Sequence, residues 1–254
     1  MRAIVIVPTY NERENLPILV PAILRQGNEF DVLIVDDGSP DGTGAMAEQM
    51  AADTRRIHVL HRERKQGLGR AYVAGFKFGL EHRYDAMFEM DADLSHNPDD
   101  LPRLLREIEQ TDVAIGSRWI PGGGTERWSL LRQSISRGGS IYAGLILGVP
   151  IADLTSGFKC FRRQVIERLD LDSIGSNGYA FQVEVNYACW LAGFRIREVP
   201  IIFPDRTRGV SKMNWRIVAE AALLVPKLRL GLSDVPLIAP PMGGFPEPAK
   251  RSLA

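Results

Sequence analysis

The 254-residue sequence is short of several features that would settle a function at once. No run approaches the roughly 20 apolar residues of a membrane-spanning helix. The nearest stretches, IYAGLILGVPIADL (141–154) and AEAALLVPKLRLGL (219–232), are short and interrupted by Pro, Gly or charge. Net charge is absent too, since 31 Lys and Arg balance 31 Asp and Glu. No global field therefore draws the chain to nucleic acid or an anionic surface, and any affinity for phosphate must be local. Cysteine is scarce: Cys160 and Cys189 are far apart and in no CxxC pair, and Met1 to Val7 runs straight into a strand pattern. The expectation is a leaderless chain with reduced, cytoplasmic core thiols.

Familiar catalytic signatures are also missing. The loop after the first strand pattern, PTYNERE, holds no glycine, and GLGRAYVAG has only a partial glycine spacing, so the GxGxxG of a dinucleotide oxidoreductase is not met. There is no GxxxxGK[ST]. A sugar nucleotidyltransferase would share the sheet and a metal, but opens with a Gly-rich loop that this chain lacks. His58, His61, His82 and His96 make no HExxH or paired-ligand spacing, and only His96 is near predicted chemistry, as a structural or supporting residue. No GxSxG elbow occurs, and Cys160 has no evident catalytic partner.

What is present is a sizeable apolar fraction, 45%, enough to bury one large domain. Apolar runs at 3–7, 32–35, 57–60, 86–90 and 112–116 predict strands, with helices over about 12–26, 43–53, 67–82 and 98–110 and Thr43 as an N-cap. This alternation predicts an α/β fold, a mostly parallel sheet with helices on both faces. The second half predicts a helix over 127–148, strands at 157–161 and 196–203, and helices near 179–192 and 213–230. One domain is expected over 1–232, with a Pro-rich, flexible tail at 233–254.

Ligands collect beyond the carboxyl ends of such strands, and the polar clusters PTYNE, DDGSPDG, KQGLG, DADLSH and GSRW all fall there. Asp91 and Asp93 can both turn toward a hard cation such as Mg²⁺ or Mn²⁺, whose open positions nucleotide phosphates fill. Read alone, DxD is equally a solvated strand end. Asp36 and Asp37 stand at a neighbouring strand end, where a carboxylate can accept from a base or ribose. Arg132 and Ser136, four apart, share a helix face with Arg118 nearby, an arrangement for holding a phosphate or simply a basic face. A second basic segment, DRTRGVSK, carries Arg206, Arg208 and Lys212; two basic sites imply two phosphate-bearing substrates. The helix after Lys212 suits core packing or interfacial membrane contact.

PTYNERENL, DDGSPDGT, GLGRAYVAGF, MDADLSHNP, GSRW with its following GG, DLTSGFKCF, GYAFQVEV and VPIIFPDRTRGVSK, in this order across about residues 3–212, resemble the polyprenol (dolichol) phosphate mannose synthases of glycosyltransferase family 2. The resemblance implies a GT-A fold, a nucleotide-sugar half (1–120), an acceptor half (121–232), and inverting transfer of mannose from GDP-mannose to a polyprenyl phosphate. It implies a Mg²⁺ or Mn²⁺ ion on Asp91 and Asp93, with Ala92 between them in the donor site. It further implies that Pro8, Tyr10, Glu12, Val35 and Asp37 line the nucleoside pocket and that Arg206 and Lys212 contact donor phosphates. Arg118, Arg132 and Ser136 are implied to hold the acceptor phosphate, with Gln182 and Glu184 near the sugar. Several relatives carry Gln where this chain has Ser95, which puts a third protein ligand to the metal in doubt. Some relatives continue into transmembrane helices; this chain is expected to meet its lipid at the cytoplasmic face of a membrane, peripherally or through a membrane-anchored partner, with no nucleic acid involved. The same chemistry with UDP-glucose, or a catalytically idle nucleotide-sugar-binding protein, are the alternatives.

Overall fold

A computed structural model describes residues 1–176, 178–205, 215–233 and 235–238. Arg206, Arg208 and Lys212 lie outside the described residues. Nine strands are described: β1 (Ala3–Thr9), β2 (Phe30–Asp36), β3 (Ile57–His61), β4 (Ala86–Glu89), β5 (Val113–Ser117), β6 (Gly124–Glu126), β7 (Lys159–Arg162), β8 (Ile196–Pro200) and β9 (Ile202–Pro204). The helices are α1 (Leu16–Leu24), α2 (Thr43–Ala52), α3 (Leu68–Glu81), α4 (Leu101–Glu107), α5 (Leu130–Leu147), α6 (Arg163–Arg168), α7 (Gly178–Leu191) and α8 (Trp215–Arg229).

Seven strands form one sheet in the order β3-β2-β1-β4-β7-β5-β8. All its pairings are parallel except those of β7, which runs antiparallel between β4 and β5. Because side chains alternate across a strand, Ile4 and Ile6 face one core with Val35, Tyr72 and Phe181, while Ala3, Val5 and Val7 face another with Leu19, Phe88 and Leu104. Burial on both faces explains why the strands read as continuous apolar runs. Helix α3 lies close on the sheet because Gly75 and Gly79 carry no side chain: a Cβ there would stand 2.4 Å from Ile6 and 2.8 Å from the Met87 sulfur.

The differences from the sequence reading have local causes. Helix α1 starts late because Asn11 takes a left-handed turn, φ 61°, and Leu16 opens the helix with Pro next. Thr43 is the first helical residue, not the cap; Gly42 (φ 87°) precedes it, and the Thr43 hydroxyl instead donates to Asp41 and accepts from the Glu12 amide. The run at 196–203 breaks at Ile201, whose amide donates to Ser117, so β8 joins the main sheet and β9 pairs with β6. The short α6 lies in a stretch without a predicted element. The expected tail does not begin loosely at 233: Leu237 bridges Leu169, and Asp170 and Ile238 each donate a backbone hydrogen bond across that bridge. Residues 239–254 lie outside the described residues.

Candidate active site

A cavity of about 420 Å³ opens where the parallel strands end. Pro8, Tyr10 and Glu12 reach it from β1, Asp37 from β2, Asp91, Ala92 and Asp93 from β4, and Gln182 from α7. Since β7 runs antiparallel, the loop leading into it arrives at this same edge and adds Thr155 and Gly157.

The two DxD carboxylates are held from outside the cavity. The Asp91 amide donates to His96 Nδ1 (3.0 Å), and Tyr72 donates its hydroxyl to Asp91 Oδ1 (3.1 Å). Burial, with Asp91 beside it, drives the Tyr72 hydroxyl well above its ordinary pKa, so it remains a donor. Ser95 donates its amide (3.1 Å) and its hydroxyl (2.5 Å) to Asp93 Oδ1. Leu94, in the left-handed region at φ 64°, makes the turn that brings Ser95 back. Among the described residues no cluster of three or more His, Cys, Asp or Glu is disposed around a metal position. Two anchored hard-oxygen carboxylates on one cavity wall fit a divalent cation that completes its shell with phosphate and water.

Asp37 accepts from Arg62 Nη1 (2.5 Å) and from the Gln66 amide (3.4 Å); burial pushes its carboxyl up against the pull of Arg62. Lys65 lies over the Tyr10 ring, 4.1 Å from its centroid. Glu12 accepts from Asn15 (2.7 Å). Val35 corrects the sequence reading: it is fully buried among the α3-side core residues, because its place in β2 turns it into the core and leaves Asp37, past the strand end, at the cavity. Glu184 is also away from the cavity, buried on α7 and bonded to the Ser176 hydroxyl. Beneath the cavity floor, Glu89 and Lys159 are wholly buried, 3.8 Å apart. Burial pushes the Glu89 carboxyl up to about 7, with Lys159 and Gln182 pulling against it, and burial pushes the Lys159 ammonium down.

A second cavity, about 320 Å³ and largely apolar, lies among α5, α7 and α8. Arg132 and Ser136 line it as the spacing predicts, along with Trp128, Tyr142 and Val225. The Arg132 guanidinium rests 3.8 Å from the Trp128 ring centroid and donates to Asp205 (2.5 Å). Among the described residues, the buried Ser136 hydroxyl has no hydrogen-bond partner. Arg118 does not join them: it is 4% exposed and clamped on Asp153, Nε and Nη2 each donating at 2.7 Å. Its charge is thus already neutralised, and it also donates to the Thr155 hydroxyl (2.9 Å). Thr155 and Tyr179, which were not singled out in the sequence, line both cavities and so mark where the two meet.

The arrangement has known counterparts. The chain is 48% identical over 227 residues to the undecaprenyl-phosphate mannosyltransferase of Micrococcus luteus, covering 89% of this chain and 93% of that one. It is 47% identical to the polyprenol monophosphomannose synthase of Mycolicibacterium smegmatis, covering 88% and 85%. The fold is shared with glucosyl-3-phosphoglycerate synthase of Mycobacterium tuberculosis, solved with Mn²⁺, UDP-glucose and phosphoglyceric acid, at TM-score 0.67 and 16% identity, covering 92% and 81%. It is also shared with a mannosyltransferase of Pyrobaculum calidifontis solved with GDP-mannose and Mn²⁺, at TM-score 0.60 and 17% identity, covering 97% and 66%. The sheet is that of the GT-A fold. Glycosyl transferase family 2 matches residues 4–170, and the chain belongs to that family of enzymes.

Proposed function

We propose that this enzyme transfers mannose from GDP-mannose to a polyprenyl phosphate with inversion at the anomeric carbon. The observation that carries the reading is the pair of unlike cavities meeting at Thr155 and Tyr179: one bordered by Asp91 and Asp93, the other apolar and headed by Arg132 and Ser136. The names of the two relatives near half identity support the mannosyl donor and the polyprenyl acceptor.

The acceptor is its own nucleophile. A phosphate monoester has a second pKa of about 6, so it is largely dianionic near neutral pH and requires no strong base. One phosphate oxygen forms the new bond to the anomeric carbon as the bond to the nucleoside diphosphate breaks. Asp91 and Asp93 would hold Mg²⁺ or Mn²⁺, which when bound supplies Lewis-acid stabilisation of the leaving diphosphate. Tyr72, His96 and Ser95 hold the DxD turn so that both carboxylates stay at the cavity wall. Arg132 screens and orients the incoming phosphate, and the unpartnered Ser136 hydroxyl is a donor for it. Arg118, locked to Asp153, orients the Thr155 hydroxyl at the junction. Arg206 and Lys212 complete the donor phosphate contacts in this reading.

The isoprenoid chain occupies the apolar cavity, and the membrane lies at its mouth. Leu130, Leu131 and Leu145 on α5 are 80%, 71% and 71% exposed, and Leu223 on α8 is 66% exposed, apolar surface that a lipid interface would cover. No described helix is long and apolar enough to cross a membrane; in this reading the contact is peripheral, at the cytoplasmic face. Purified protein incubated with labelled GDP-mannose or UDP-glucose, a polyprenyl phosphate and Mg²⁺ or Mn²⁺ tests the whole reading. Label should enter the organic phase from GDP-mannose, in a product of opposite anomeric configuration. Transfer from UDP-glucose alone, or label independent of the lipid phosphate, would reject it.

A further inference from the structure

The smaller cavity poses a problem of charge. A site that takes a phosphate is served by cations, yet each guanidinium near this one is matched by an aspartate. Arg132 is the one charged residue lining it among the described residues, and its Nη1 donates to Asp205 (2.5 Å). Arg118 lies 5.5 Å from the centroid of the same Trp128 ring that Arg132 covers, and it is clamped on the wholly buried Asp153.

Asp205 is set in place by the chain around it. It follows β9, and its amide donates to the Glu126 carbonyl of β6 (2.9 Å), so the β6–β9 ribbon brings it beside α5. The Arg132 and Asp205 side chains are 24% and 38% exposed, and an ion pair that open to water contributes little to stability. Its effect on a ligand is larger. A guanidinium donates from Nε and from both Nη atoms, and the contact with Asp205 engages Nη1 alone. An edge of Arg132 therefore remains for two oxygens of one phosphate.

A polyprenol can carry one phosphate or a diphosphate. The monophosphate brings close to two negative charges near neutral pH, and the diphosphate adds roughly one more. With Arg118 neutralised by Asp153, no second unpaired cation lines the cavity among the described residues to meet that extra charge, and the Asp205 carboxylate repels it.

We propose that Asp205 is a specificity-determining residue that makes the acceptor cavity reject polyprenyl diphosphates in favour of monophosphates. It is a repulsive element placed beside the attractive one, the usual means of excluding a near relative of the ligand. This rests on the acceptor reading above.

The test uses full-length protein with GDP-mannose and Mn²⁺, farnesyl phosphate as acceptor and farnesyl diphosphate as inhibitor, reading the inhibition constant competitive with farnesyl phosphate. Asp205→Asn keeps an oxygen for Arg132 and removes the charge; Asp205→Glu keeps the charge. In Asp205→Asn the inhibition constant of the diphosphate should fall about tenfold, the scale of one like-charge contact at a half-exposed site, while the KM for the monophosphate falls no more than about threefold. Asp205→Glu should stay near wild type in both constants. An equal shift in the two constants, no shift in either, or a Glu variant that behaves like the Asn variant would overturn the proposal, because a merely structural tie between β9 and α5 would move both alike. Wild-type protein that neither transfers to farnesyl phosphate nor binds it would instead reject the acceptor reading, and this inference with it.

Discussion

The two cavities are built by opposite means. The larger one is floored by strand ends, and its two aspartates are held by polar contacts: Tyr72 and Ser95 donate to the carboxylates, and His96 accepts from the Asp91 amide. The smaller one is walled by helices α5, α7 and α8, and its lining is largely apolar, with the Arg132 guanidinium and the hydroxyls of Ser136, Tyr142, Thr155 and Tyr179 as its polar groups. Two glycines of α5, Gly138 and Gly139, line it with open space where a side chain would be. A glycine in a helix interior costs about 1 kcal/mol relative to alanine, so the slot is kept wide at some expense in helix stability. A diphosphate needs fixed charges at fixed places; a hydrocarbon tail needs room.

Substitution should separate the two. The largest effect is expected from Asp91→Asn, which keeps the shape and an acceptor for Tyr72 but removes a charge from the donor side. Metal-dependent transfer should fall on the order of a hundredfold or more, with the melting temperature little changed; wild-type turnover in this variant would remove the basis for the donor site. Next, Arg132→Ala should raise the KM for the polyprenyl phosphate by roughly ten- to a hundredfold, the size of a lost charge-assisted contact, and leave that for GDP-mannose nearly unaltered. The reverse pattern would mean that the cavities have been assigned the wrong way round. Ser95→Ala should act more gently, raising the Mg²⁺ or Mn²⁺ requirement about tenfold as Asp93 loses its support, while turnover at saturating metal survives. A variant with unchanged metal dependence would show that Asp93 is held well enough by the backbone of its turn.

The donor side was the more legible of the two in the sequence, and the comparison explains why. Strand ends are marked by where apolar runs stop, so PTYNE, DDGSPDG and DADLSH announced themselves by position along the chain. The slot depends on contacts between distant helices. Arg132 and Ser136 were readable because they share one helix face, but Thr155 and Tyr179 meet only because β7 reverses direction. Arg118 was misjudged for a related reason: its position after β5 was readable, but its partner Asp153 lies 35 residues on. Nothing short-range in the chain announces that Lys159 faces the buried Glu89 across the β4–β7 pairing.

A third region, at the far edge of the sheet, supplies the control. His58 on β3 lies 3.1 Å from the Tyr84 hydroxyl, which itself donates to Asp31 (2.7 Å), with His82 and Arg2 close by. Burial holds the His58 pKa below its ordinary value; Asp31 pulls upward, while His82 and Arg2 push further down. The folded state therefore binds this proton less readily than the unfolded chain. Its stability contribution is complete above the unfolded histidine value of about 6.5 and is lost as pH falls from there toward the depressed folded pKa. Melting temperatures measured from pH 7.5 to 5.5 should drop more for wild type than for His58→Gln, which has no proton to gain. Near pH 7.5 the variant should retain both substrates' KM values, because neither cavity contains a residue of this cluster. A shift in either KM would mean that the two cavities respond to the far edge of the sheet, and the contrast between rigid floor and roomy slot would then have to include a coupling between them.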